Sequence, residues 1–442
     1  DLSVYFYLRG ASLLQPKGMM GLIATNTISQ GDSREVGLDQ LVEQGCSIPK
    51  AISSQKWPGT ASLEVSVVWL YKGEWKGKAV LDGEPVQAIT SYLRPKSRVE
   101  GRPYRLKANK DKSFQGSIVL GMGFILTEEE AQELIRKNPK NQEVLFPYLN
   151  GQDLNQRPDQ SPSRWVINFF DWPLEKAREY AEPFAIIEKK VKPERMKLKR
   201  KIRRENWWKF AEQAKNLYRT IAGMERVLVI VRVSAANAVT WVTNDKVFNE
   251  RLVIFPFEKN CYFALLQSWI HWEWAKFYSS SMGGRANTLY TPSDCFETFP
   301  FPPQEAMDSL EAIGKAYYKH RQRIMETRQE GLTSVYNRFH NPHETSSDIQ
   351  ELRSLHIQMD QAVARAYGWD DLELGHNFYS VDGKTRFTLP PKIRQEILDR
   401  LLERNHALYA EEVKKGLHGN KKGGGGKKKK NSPKENRQKG LF

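Results

Sequence analysis

The stretch Lys189 to Arg204 (KKVKPERMKLKRKIRR) gathers lysine and arginine around one acid, Glu194, and Trp207 and Trp208 follow it directly. Cations at this density neutralise phosphates and release condensed counterions. A charge run can also be a solvated helix face. The imbalance here exceeds what salt-bridge lacing absorbs, so Lys189, Lys190, Arg195, Lys199, Arg200, Arg203 and Arg204 are read as DNA contacts. Reading a base edge needs paired donors and acceptors, as on arginine or asparagine. Turn-like segments offer Arg164, Asn168, Arg232, Asn237, Arg285 and Asn287, with Gly283 and Gly284 letting the backbone beside the last pair come close. Taken singly, each is more simply a surface-loop residue.

A second cluster lies near the start. The apolar run Met19 to Ala24 ends in Thr25 and Asn26, with Gln30 just beyond. Open α/β sheets place ligands at the carboxyl ends of strands, so these residues either line a pocket or cap a loop. Other chemistry finds little support. His340 and His343 lack a third ligand at zinc spacing, and no metal is expected. Cys46, Cys261 and Cys295 are far apart and suit a reducing compartment. Glu188 and Lys190 form a bare carboxylate-x-Lys without a preceding acid. Gly121-Met122-Gly123 lacks the third glycine of a nucleotide loop and reads as a bulge or tight hairpin. No nucleophile elbow is present.

These residues need elements to hold them. The chain has 442 residues and a net charge of +16, a size for two to four domains and a balance that points to a polyanion. Part of the excess sits in the Gly/Lys sequence of 416–442, expected to be disordered. No apolar stretch is long enough to span a bilayer and no signal-peptide pattern appears, so a cytoplasmic location is expected. Over 1–95 the pattern alternates: a helix, Leu2 to Leu14, apolar nearly all round and so expected to be buried; a strand, Met19 to Ala24; one helix over Arg34 to Gln44 stopped by Gly45; and a strand, Leu63 to Tyr71. Residues 96–303 carry short strand-like runs, Arg226 to Val233 and Val239 to Val242 among them, and are expected to be β-rich. Residues 304–415 show helical spacing over Glu305 to Thr327, Asp348 to Tyr367 and Lys392 to Lys414. The fold class expected is α/β plus mixed α+β.

Several stretches, in order, resemble the MmeI-like, Type IIG-like family of adenine-specific DNA methyltransferases of restriction–modification and phage defence. They are Gly21 to Asp32 (GLIATNTISQGD), Trp57-Pro58-Gly59, Gly121 to Phe124, Pro147 to Asn155 (PYLNGQDLN), Arg164 to Phe169 (RWVINF) and Pro292 to Pro302 (PSDCFETFPFP). The resemblance implies a partial Rossmann-like methyltransferase sheet in 1–95, a target-recognition domain in 96–303 and a helical C-terminal region. It also implies S-adenosylmethionine as methyl donor and duplex DNA as partner.

The family's Asn-Pro-Pro-aromatic signature is missing. Asn138-Pro139 and Asn341-Pro342 continue with Lys140 and His343, and the glycine-rich cofactor loop is absent too. The opening segment resembles the second half of a catalytic domain, so this chain alone is expected to be inactive. By its place before the Leu63 to Tyr71 strand, Trp57 matches the aromatic that stacks on an extruded adenine; the alternative is a core tryptophan. Phe296 to Pro302 is expected to be scaffold. The rival reading is a non-catalytic DNA-specificity module working with a separate catalytic or nuclease subunit.

Overall fold

Val4, Tyr7 and Ala11 recur at helical spacing and form the buried face of helix α1 (Ser3–Leu13). The computed structural model describes residues 2–61, 63–99, 101–234, 237–281, 288–381 and 383–418; the Gly/Lys tail beyond 418 lies outside them. The all-round burial expected of α1 is corrected: Leu2, Tyr5, Phe6 and Leu13 are exposed. Only one side of the helix meets a sheet, so its other apolar side faces outward. Lys72 Nζ donates to the carbonyls of Ala11 and Leu14 at 3.2 and 2.7 Å, closing the end of α1.

Strand β1 (Met19–Thr25) follows. The single helix expected next is two, α2 (Gly31–Val36) and α3 (Leu38–Glu43). The break falls at Gly37, where α1 crosses: a Cβ there would lie 3.0 Å from Val4 Cγ1 and 2.9 Å from the Ser33 carbonyl. Strands β2 (Cys46–Lys56), β3 (Glu64–Lys72), β4 (Ala79–Leu81) and β5 (Glu84–Val86) complete a sheet ordered β1-β3-β2-β4-β5. β3 runs antiparallel to both β1 and β2, which are therefore parallel to each other. Ile28, Leu38, Leu41, Val68 and Leu70 join the buried face of α1 in one core. Arg34 lies over the Tyr92 ring at 4.0 Å, and Tyr92 packs on Phe277 and Tyr278, tying this layer to the next region.

Residues 96–303 are not β-rich, which corrects the expectation. Two four-stranded sheets are present, one of them built on Arg226–Val231, Thr240–Thr243 and Leu252–Phe255. Helices accompany them, among them Glu128–Lys137, Ala181–Lys190, Lys215–Ile221, Asn260–Gln267 and Trp269–Tyr278. The last two are buried nearly all round (NCYFALLQ and WIHWEWAKFY) and so carry no amphipathic period to read. Ser268 between them accepts the His271 N–H at 3.2 Å.

Helices Glu311–Arg328, Ser347–Ala366 and Pro391–Lys414 follow the sequence pattern; Leu332–Phe339 was not foreseen. A hairpin, Asn377–Val381 with Lys384–Thr388, was not foreseen, although Asp382-Gly383 is a hairpin dipeptide. One core runs from Leu228 and Phe255 through Phe263 and Trp274 to Met359 and Leu401. The last helix also holds the segment leading into the recognition region. Glu412 accepts the N–H groups of Lys107 and Ala108 at 2.8 Å each, and Asn405 bridges Tyr104 and Thr298. Phe296 and Phe299 are fully buried, so the FETFPFP stretch is part of the core it borders.

Candidate nucleic-acid interface

The basic run folds as the end of helix Ala181–Lys190, then Lys192–Met196 and Lys201–Glu205. Pro193 sits in the first turn of the middle helix, where its missing N–H costs nothing. Phe184, Ile187 and Val191 anchor the run in the core that includes Trp207 and Trp208. That leaves Lys189, Lys190, Lys197, Lys199 and Arg200 exposed, and among the described residues none of the five has an ion-pair partner. Their neighbours are engaged. Lys192 pairs with Glu188 at 2.8 Å, Lys201 with Glu205 at 3.5 Å and Arg203 with Glu212 at 2.7 Å. Arg204 donates to the carbonyls of Leu198 and Lys199 at 2.7 and 2.8 Å. An unpaired, solvated set of cations at a helix end and in the link between two short helices is built to meet an anionic surface.

Arg195 is a correction. It is 2% exposed and donates to the carbonyls of Val119 at 2.9 Å and Lys209 at 3.2 Å. Burial pushes its guanidinium down to about 10. Arg195 is an internal brace and does not face solvent. The signal was present in the sequence: Ile187, Val191 and Arg195 fall at successive four-residue steps on the buried side.

Asn168 is also corrected. It is 8% exposed, and its Oδ1 accepts the Phe170 N–H at 2.9 Å in a local turn. Asn237 is buried and donates to the Leu266 carbonyl at 2.9 Å. Arg232 is half-buried, with its Nε enclosed and, among the described residues, without a hydrogen-bond partner. Arg164 is exposed at the start of strand Arg164–Ile167. Arg285 and Asn287 lie outside the described residues. Gly121 to Gly123 belong to a tight turn that passes into a short 3₁₀ segment, Met122–Phe124.

At the sheet, the parallel strands β1 and β2 place their carboxyl ends on one side. Asn26 there is buried, and its Nδ2 lies 3.4 Å from both Ser54 Oγ and Glu64 Oε2. Ser54 donates to the same Glu64 oxygen at 2.6 Å. Thr25 and Thr27 share a hydroxyl hydrogen bond of 2.7 Å, and Gln30 is half-buried at the start of α2. Trp57 follows the end of β2 with 41% of its surface exposed, and its backbone N–H donates to the Leu63 carbonyl at 3.0 Å. Its indole covers Gly59, so any Cβ at 59 would displace the ring. The structure thus brings Asn26 and Trp57 to the same end of the sheet. Ser54 and Glu64 join them there, and sequence reasoning missed both; their only signal was position at strand ends.

Among the described residues, no group of three or more His, Cys, Asp and Glu side chains is placed to hold a metal ion. No described helix is long and apolar enough to cross a membrane.

Comparison with known proteins adds the following. Residues 97–303 match the family model described as MmeI, target recognition domain. In overall shape the chain is similar to the Type IIL restriction-modification enzyme MmeI, solved in complex with DNA, with a TM-score of 0.72 at 19% identity, over 93% of this chain and 52% of that one. The type IIG restriction endonuclease BpuSI gives a TM-score of 0.28 at 13% identity, over 83% of this chain and 49% of that one. The chain therefore spans about half the length of the solved structures it matches. No curated protein sequence matches it.

Proposed function

This chain is MmeI-like, with an MmeI-type target recognition domain over residues 97–303, and from that premise we propose that it reads a specific sequence in duplex DNA for a restriction–modification enzyme that methylates adenine. The observation that carries the reading is the unpaired set Lys189, Lys190, Lys197, Lys199 and Arg200, exposed on a domain whose other cations nearby are consumed internally. Such a set binds phosphates and positions the domain; base contacts then specify the site.

The sheet of β1 to β5 supports the methyltransferase part. Two parallel strands with an antiparallel one between them, packed on helices, suit one side of a Rossmann-like sheet. A half-exposed Trp57 at the same end of the sheet as Asn26 suits a wall for an extruded base, where stacking contributes about 1–3 kcal/mol. S-adenosylmethionine is not accommodated by this chain's residues alone. Asn26, Ser54 and Glu64 are engaged with one another, and no glycine-rich cradle adjoins them.

Equilibrium binding to duplex DNA, single-stranded DNA and structured RNA across a salt series tests the DNA part. The expected result is a duplex preference with a steep salt dependence. Equal affinity for RNA would sink it. A methylome of cells expressing the whole enzyme that contains this chain tests the rest, with N-methylated adenine at one sequence motif expected. Methylated cytosine, or no modified base, would refute the adenine reading.

A further inference from the structure

Leu120 and Met122 stand on a turn that the fold forms against local preference. Leu120 has φ of 52° and Gly121 has φ of 141°. The first is a left-handed backbone that leucine adopts only when its surroundings impose it, and such residues cluster at ligand clamps. Both flanks are imposed. Ile118 exchanges backbone hydrogen bonds with Glu212 at 2.9 and 3.1 Å, Arg195 holds the Val119 carbonyl, and Phe124 is fully buried. Gly123 presses on the end of the basic helix: a Cβ there would lie 2.5 Å from Lys190 Cβ and 2.8 Å from Val191 Cγ2. With both ends fixed, the crown is driven outward, leaving Met122 69% and Leu120 47% exposed.

Two apolar side chains on a braced, strained turn beside unpaired Lys189 and Lys190 make an apolar point with a cationic rim. Lysine is depleted where proteins meet proteins, so two unpaired lysines beside this apolar point call for phosphate. We infer that this turn is a wedge for duplex DNA. Met122 and Leu120 press into a base step while Lys189 and Lys190 hold the flanking phosphates. Leucine and methionine are among the side chains that unstack steps and bend the duplex, so that the bent DNA meets more protein surface. The inference rests on the duplex-binding reading above. It adds a way of sensing sequence through deformability, at positions that no side chain reads by hydrogen bonds.

The test uses the full chain and duplexes it selects from a random pool, carrying a dye pair at their ends and 2-aminopurine at successive positions. Wild type is expected to shorten the end-to-end distance and brighten 2-aminopurine at one step. The double variant Leu120→Ala, Met122→Ala should lose both signals and bind about tenfold more weakly, a loss of one order in Kd. Its salt dependence should not change, because the lysines remain. Both side chains are exposed, so its thermal midpoint should match wild type. A straight, fully stacked duplex in the wild-type complex would overturn the wedge, as would a double variant that bends DNA normally. A pool that yields no duplex binder would overturn the DNA reading itself, and the wedge with it.

Discussion

The fully buried Asp360 carboxylate accepts a hydrogen bond at 2.7 Å from Nε2 of His376, whose side chain is almost entirely out of solvent. Its other oxygen accepts the Trp269 N–H at 2.9 Å, so one buried acid joins the helical region to the first turn of a recognition-region helix. Around that joint, burial pushes His356 down to about 4, against the nearby Asp360, and holds His340 at about 3. His271, further along the Trp269–Tyr278 helix, is also held at about 3 by burial.

Acid should therefore loosen this shared core early. The three histidines are neutral when folded and titrate near 6.5 when unfolded, so the unfolded chain binds more protons below that pH. Their contribution is fully present above about pH 6.5 and is lost as the pH falls toward their folded values. At pH 5.5 the three together remove about 4 kcal/mol, at about 1.4 kcal/mol per group and pH unit. Glu344, held down to about 2 by hydrogen bonds from Ser346 and Arg338, matters only below the ordinary carboxylate range. Urea unfolding at pH 7 and pH 5.5 should show a lower midpoint at the acid pH. Equal midpoints would reject the account.

Buried Arg195 and the exposed lysines should separate cleanly. Lys189→Gln, Lys190→Gln, Lys199→Gln and Arg200→Gln together remove up to four phosphate contacts. The slope of log K against log salt should then shrink by up to about 3.6, with little change in stability. Arg195→Gln should leave the slope alone and cost about 2–4 kcal/mol, since it strips a charged donor from two buried carbonyls. A changed slope for Arg195→Gln would return that residue to the surface set.

This contrast marks what could be read from the residues. Periodic apolar faces announced the helix Pro391–Lys414, where Ile397 and Leu401 are buried. β-branched runs announced β3 and the strand Arg226–Val231. Asn260–Gln267 and Trp269–Tyr278 were illegible because a fully buried helix has no polar face to set its period. The cations of the basic run were legible as a group. Which of them turns inward depends on the helix phase set by Ile187 and Val191, and charge counting ignores phase. At the sheet, the strand ends were legible, but the Ser54 and Glu64 partners of Asn26 come from the register of β1 on β3, strands distant in sequence.

Gly314 sets the crossing of helices Glu311–Arg328 and Asn260–Gln267. A Cβ at 314 would collide with the Asn260 carbonyl and lie 3.1 Å from Ala264 Cβ. Helix propensity alone favours Gly314→Ala by about 0.8–1 kcal/mol. Overpacking of a fixed core costs about 1–3 kcal/mol, and the obstructing atom is backbone, which cannot rotate aside. The net sign should be destabilising, seen as a lower thermal midpoint. A raised midpoint would mean that the crossing has room to give.

Trp57→Ala offers the sharpest separation of a stacking wall from a core residue. With 41% of its surface in solvent and a position beyond the end of β2, Trp57 contributes little to the core formed by Val68, Leu70 and the buried face of α1. Its removal should leave the thermal midpoint within a degree or two, since surface substitutions stay within about 0.5 kcal/mol. If the indole stacks on an extruded adenine, methyl transfer by the whole enzyme should fall about 5- to 150-fold, the rate equivalent of about 1–3 kcal/mol. Duplex binding by residues 97–303 should be unaffected, and Trp57→Phe should restore part of the rate by keeping an aromatic face. The decisive pairing is midpoint against rate. A collapsed midpoint would assign Trp57 to the fold, and an unchanged rate with an unchanged midpoint would leave the target base to be held by other residues.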